Sequence, residues 1–196
     1  MSAIRMLTPF ELEKYRDHLL RLGAEDRRLR FGTFADDARI AAFTDGIDRR
    51  RTRVLALLGP NLEVVAAVQI AVFRGRAVEL AFSVDPAYRR RGVGTALMNR
   101  ALLWARNRGL ARAHVQCLTE NIAMRRLARG AGMEMTTEAG ETEAVMALPA
   151  ATPLSWVAEA LAEGVGLVDL AAKTNCRALE RLGSPTMSQG SLPAVC

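Results

Sequence analysis

The sequence is poor in the residues that build metal clusters and cross-links. It has three cysteines, Cys117, Cys176 and Cys196, and two histidines, His18 and His114. The cysteines are odd in number, far apart and without a Cys-x-x-Cys pair, so neither a disulfide framework nor a zinc site is indicated. Reduced thiols in a cytoplasmic protein are the simplest reading, and no metal is expected. Aromatic residues make up only 5% of the chain and do not interleave with the arginines. That removes the stacking platform of nucleic-acid readers, so no nucleic-acid partner is expected despite a net charge of +6. A run of about 18 apolar residues, the mark of a spanning helix, is missing, so no membrane partner is expected. Residues 1–10 carry Arg5 and Pro9 but no continuous apolar stretch, and do not read as a signal peptide. No internal repeat is present.

What is there fits a globular chain. Its 196 residues suggest one domain, or one domain with an appendage, and half of them are hydrophobic. Lys14 and Lys173 are the only lysines; every other cationic side chain is arginine. Arginine forks bidentately around phosphate and carboxylate, but a general arginine bias also follows from codon usage. Only local clusters therefore count as evidence.

Residues 4–7 form a short apolar segment, a first strand. Thr8-Pro9 followed by Glu11 and Glu13 marks a helix start, and Leu12, Tyr15, Leu19 and Leu22 continue at near-helical spacing. Residues 24–34 are arginine-rich and read as a loop with a helical turn. Asp36 or Asp37 caps a helix over residues 38–47. Strands are expected at 52–58, 62–73 and 77–84, separated by Gly59-Pro60-Asn61 and Arg74-Gly75-Arg76. An amphipathic helix follows over 95–108, then a strand at 113–118, a helix over 121–129, and a hairpin from 133–137 and 144–148. The order is α+β, mixed rather than strictly alternating. Beyond Pro149, residues 155–182 read as helix interrupted by Gly164 and Gly166, and residues 183–196 as a flexible tail. The expected division is a domain over 1–149, a helical extension over 150–182 and the tail. The apolar residues of the extension require burial, against the domain itself or in a homodimer contact.

The chemistry-bearing segment is Val84-Asp85-Pro86-Ala87-Tyr88-Arg89-Arg90-Arg91-Gly92-Val93-Gly94-Thr95. A strand runs into a cationic, glycine-bearing turn that opens a helix. Unpaired N–H groups and the positive end of the helix dipole make such a start an anion site. The dinucleotide fingerprint wants a third glycine where Leu97 stands, and a phosphate-binding P-loop wants a lysine; both are excluded.

Arg89-x-x-Gly92-x-Gly94 resembles the Arg/Gln-x-x-Gly-x-Gly/Ala signature of the GNAT superfamily of acyl-CoA N-acyltransferases. Glu79 to Pro86 resembles that family's fourth strand and its exit, and Asn121 to Met133 its second conserved segment. The resemblance implies a mixed, mostly antiparallel sheet of about six to seven strands flanked by helices, with strands four and five splayed. It implies acetyl-CoA as cosubstrate, its pantetheine arm pairing with the backbone of Phe82 and Val84 as an added strand. The turn Arg89, Arg90, Arg91, Gly92, Val93, Gly94 and Thr95 would hold the pyrophosphate. Asn121 would bond the arm, and Met124 would pack beside it. Glu79 is the candidate base for an acceptor amine of a small molecule or protein, against a solvated strand glutamate. Many members carry a tyrosine after the leucine of the second segment as acid for the departing thiolate; here that position is Ala128. Cys117 and Thr119 lie near, each read as packing, and Tyr88 is expected to point outward. Arg27-Arg28-Leu29-Arg30-Phe31 also resembles a motif of bacterial protein-lysine acetyltransferase domains, where it would meet an acidic substrate group or pair locally with Glu25 or Asp26.

Overall fold

The computed structural model describes residues 3–73 and 76–183. Strand β1 (Ile4–Met6) leads through a single 3-10 turn, Pro9–Glu11, into helix α1 (Leu12–Arg21). The turn is set by Glu11. One carboxylate oxygen accepts from the Thr8 N–H and hydroxyl at 3.1 and 3.0 Å, and the other pairs with Arg5. Burial raises the Glu11 pKa, but the bonds from Arg5 and Thr8 outweigh it and bring it from 4.5 to about 2. Helices α2 (Ala24–Phe31) and α3 (Asp37–Asp45) follow, the latter capped by Asp36 accepting from Arg39 N–H at 2.8 Å.

Strands β2 (Thr52–Leu58), β3 (Val64–Phe73) and β4 (Ala77–Val84) form the expected antiparallel meander. The remaining elements are α4 (Val93–Asn107), β5 (Arg112–Leu118), α5 (Ile122–Gly130), β6 (Glu134–Glu138), β7 (Glu141–Ala147) and α6 (Pro153–Gly183). The seven strands lie in the order β1-β2-β3-β4-β5-β7-β6. Among the described residues, only β4 and β5 run parallel.

Period-two alternation divides β2 and β3 between two cores. Leu55, Val68, Ile70, Val78 and Leu80 face α4 with Leu97, Met98 and Ala101. Val54, Ala56 and Ala67 face α1 and α3 with Tyr15, Leu19 and Ile40. The interior strand β3 is thus covered on both sides, which explains its continuous apolar run.

Two expectations need correction. Residues 24–34 are not a loop with one turn: residues 24–31 are a two-turn helix. No apolar stripe announces it because polar contacts hold it instead. Arg27 reaches back to Leu22 O at 2.9 Å, Arg28 pairs with Glu25 at 2.8 Å and with Glu120, and Asp26 pairs with Arg89 at 2.7 Å. Likewise, glycines do not interrupt α6. A Cβ on Gly166 would stand 2.8 Å from Arg5 Cβ, so that glycine permits the helix to lie against β1. The same helix is fastened to α4 by Asn107 Nδ2, donating to Ser155 O at 3.0 Å and Glu159 Oε2 at 2.7 Å, and by Arg108–Glu159 at 2.5 Å. The tail expected over 183–196 lies, from residue 184 on, outside the described residues, as do Arg74 and Gly75.

Candidate acyl-CoA cleft

The parallel pairing of β4 and β5 is short. Ala77, Val78 and Glu79 pair with Arg112, Ala113 and His114, and beyond them the two strands part. In an antiparallel ladder the backbone groups of alternate residues point to the same side. The Asp85 N–H donates to Val65 O on the β3 side at 2.9 Å. The backbone groups of Leu80, Phe82 and Val84 therefore face the gap left by β5. One of them is already used: Val84 O accepts from Arg89 Nε at 3.0 Å.

A cleft of about 710 Å³ occupies this gap. Its far wall is the start of α4. Gly92 is the N-cap at φ 76°, and Arg90 two residues earlier also has a positive φ of 60°. This left-handed pair bends the chain out of the Pro86–Tyr88 turn and into the helix. The first bond of α4 runs from Ala96 N–H to Gly92 O at 2.9 Å, so the N–H groups of Val93, Gly94 and Thr95 point free from the helix end. Gly94 faces Leu127, which a Cβ would meet at 3.5 Å.

Phe82, Val84, Arg89, Arg90, Gly92, Val93, Gly94, Thr95, Asn121 and Met124 all line the cleft. Arg91 does not; it lies over the Tyr88 ring at 5.9 Å, and Tyr88 lines the cleft instead of pointing away from it. Arg89 is tied down by Asp26 and by Val84 O, so its role here is to fix the turn to α2. Asn121 caps α5, its Oδ1 accepting from Met124 N–H at 3.0 Å, which leaves its Nδ2 without a partner among the described residues. Exposed Arg90 and Arg126 stand at the cleft without carboxylate partners among the described residues.

Glu79 lies outside the cleft lining. It is half-buried on the β4 face shared with Ala81 and Ser83, level with His114, and its carboxylate has no partner among the described residues. Ala128 stands on the buried side of α5 and offers no acid. Cys117 is buried and does not line the cleft; burial pushes its thiol pKa up against the opposing charge of Arg125. Thr119 is occupied by Thr142 at 3.4 Å.

Leu22, which caps the end of α1, and Asp26, Leu29 and Arg30 of α2 complete the cleft. No local motif ties them to the turn, since the sheet brings them together from some sixty positions away in sequence. Ser83 also lines it. Its Oγ lies 2.9 Å from Nε2 of the fully buried His18, whose Nδ1 stands 3.0 Å from Asp85 Oδ1, off the line of a hydrogen bond. His18 thereby pins the end of β4 to α1.

A splayed β4–β5 pair with a helix N-terminus at its mouth is the arrangement that the resemblance to the acyl-CoA N-acyltransferases implies. The chain belongs to the acetyltransferase (GNAT) family, whose model matches residues 12–133. Similar solved structures share the fold. The GNAT domain of S. lividans PAT is 24% identical, with a TM-score of 0.63 over 74% of this chain and 89% of that one. Spermidine N-acetyltransferase from Vibrio cholerae, solved with CoA and spermine, is 13% identical, with a TM-score of 0.60 over 74% and 94%. The ribosomal-protein-S18-alanine N-acetyltransferase from Escherichia coli is 18% identical, with a TM-score of 0.57 over 76% and 96%. A search of the curated proteins finds no match. No helix among the described residues is long and apolar enough to cross a membrane.

Proposed function

We propose that the chain transfers an acetyl group from acetyl-CoA to a primary amine of a small molecule or protein, by direct attack in a ternary complex in the cytoplasm. The observation that carries this reading is the cleft itself, open β4 backbone on one side and unpaired N–H groups of α4 at its end. The N–H groups of Val93, Gly94 and Thr95 suit a pyrophosphate, with Arg90 adding charge. Phe82 and Val84 present backbone groups to an extended arm, and Met124 gives it an apolar wall. The cosubstrate supplies an activated thioester carbonyl. Glu79 takes the proton of the attacking amine, directly or through water, and a gap-facing N–H of β4 stabilises the developing oxyanion. Relatives of this fold include enzymes named for spermidine and for a ribosomal-protein alanine, which supports an amine acceptor.

The test is release of free CoA thiol from acetyl-CoA with a panel of polyamines, amino acids and lysine peptides, with acetylated product confirmed by mass. Cofactor binding without turnover on any of them would favour a second reading, a non-catalytic acyl-CoA-binding module. Ala128 at the acid's position and Glu79 outside the cleft lining motivate that alternative. The same proposal takes the chain as a homodimer joined along the outer side of α6, where Leu154, Leu161 and Val168 are exposed. A monomeric mass in sedimentation would remove the dimer.

A further inference from the structure

Three arginines cluster on α2, and their partners sort them. Arg27 is held by Leu22 O, Leu20 O and Asp37. Arg28 is held by Glu25 and Glu120. Arg30 has no carboxylate partner among the described residues. Its Nη2 donates to two neutral groups, Tyr15 Oη and Gln69 Oε1, both at 3.0 Å. Its Nε is buried without a partner, and its guanidinium lies 5.0 Å from the Phe31 ring and 5.6 Å from the Phe43 ring. The nearest acid on its own helix, Asp26, one turn back, is committed to Arg89. Arg30 is therefore a half-buried, preorganised cation that lines the cleft, met by two ring faces and two neutral acceptors but by no carboxylate among the described residues. A charge withdrawn from water in this way is costly unless an anion meets it.

Its position along the cleft tells which anion. The phosphate end is the start of α4, beside Val84. Arg30 instead bonds Gln69, which pairs with Ala81, three residues back along β4. At about 3.3 Å per residue, that is about 10 Å from Val84, toward Glu79 and the reacting end. Arg30 and Glu79 stand toward the same face of the sheet, the one presenting fixed positive charge and the other an unpaired carboxylate.

We infer that Arg30 reads a carboxylate at the reacting end of the cleft, so that one of the two reactants beyond the CoA moiety is carboxylated. The carboxylate belongs either to the acceptor, an amino acid whose amine lies toward Glu79, or to the acyl group of a dicarboxylic acyl-CoA. A planar guanidinium held by Tyr15 and Gln69 matches a carboxylate in either source. This inference rests on the acyltransferase reading above.

The experiment compares substrates in the wild-type chain first, so that no variant need fold. In one arm, glycine, β-alanine and lysine are set against their amides and decarboxylated amines with acetyl-CoA. In the other, succinyl-CoA is set against acetyl-CoA with one neutral amine. A preference of about tenfold or more in kcat/KM for the carboxylate in one arm is expected and names the source. Arg30→Lys should remove that preference through the KM of the carboxylated reactant, with the affinity for free CoA, measured by calorimetry, unchanged. Turnover indifferent to carboxylate in both arms, or a preference that survives Arg30→Lys, overturns the inference and leaves the acyltransferase reading standing. Failure to bind CoA, or no turnover in either arm, overturns both.

Discussion

Gly92 and Gly94 stand two residues apart for different reasons. Gly92 has open space where a Cβ would go and is needed for its positive φ. Gly94 is needed for space, because a longer side chain there meets Leu127 and then enters the cleft. Gly94→Leu should therefore weaken CoA binding about 100-fold or more while the melting temperature holds within a few degrees, since Gly94 has no positive φ and a Cβ there meets Leu127 at an ordinary contact distance. Unchanged affinity by calorimetry would refute the pyrophosphate assignment. Glu79→Gln should lower kcat about 10²–10⁴-fold, the usual range for a lost general base, with KM for acetyl-CoA little changed. Activity within a factor of two would return Glu79 to the role of a strand residue. Glu11 bears on stability. Its folded pKa of about 2 lies below the ordinary 4.5, so its contribution is present above about pH 4.5 and is lost as pH falls toward 2. Glu11→Gln should cost about 1.5–3 kcal/mol at pH 7, as for a hydrogen bond to a charged group, and flatten this acid loss. Chemical denaturation at pH 7 and pH 3 measures both.

Among the elements, α6 and α2 are the informative ones. In α6, two glycines that look alike in sequence have opposite surroundings. Gly164 has nothing within 4 Å of where a Cβ would stand, whereas at Gly166 that atom would fall 2.8 Å from Arg5 Cβ and 3.2 Å from Ile4 O. Gly164→Ala should stabilise by about 0.5–1 kcal/mol through helix propensity. Gly166→Ala should destabilise by about 1–3 kcal/mol as overpacking against β1 outweighs propensity. Thermal melts of the two variants should move in opposite directions, and two upward shifts would mean that α6 does not press on β1. In α2, the sequence has nearly all the charge and almost none of the apolar spacing of a helix. Its ties to the rest of the molecule, Asp26–Arg89 and Arg28–Glu120, are ion pairs that no local window contains. The same cause hid its share of the cleft: Leu22, Asp26, Leu29 and Arg30 belong to a site whose other residues lie beyond position 80.

At the scale of the whole molecule, the two-sided sheet decides what the turn can do. Tyr88 shows this. Read in sequence it belongs outside the turn, yet the 3-10 segment Pro86–Tyr88 folds it into the cleft beneath Arg91. Arg89, the first residue of the signature, is drawn toward Asp26 once α2 exists, so the cleft arginines left without a carboxylate partner among the described residues are Arg30, Arg90 and Arg126. The strands and the α4 and α5 helices were legible because alternation, a 3.6-residue period and glycine punctuation are local properties, independent of what packs on them. So was the helix start with its unpaired N–H groups, which depends only on a glycine turn meeting an amphipathic run. The tertiary structure alone decided which cations remain unpaired, which side of Gly166 is crowded, and how far β4 and β5 stay together before they part. Each of those depends on contacts between segments far apart in the chain, and pairing of charges and close packing have no sequence period to betray them.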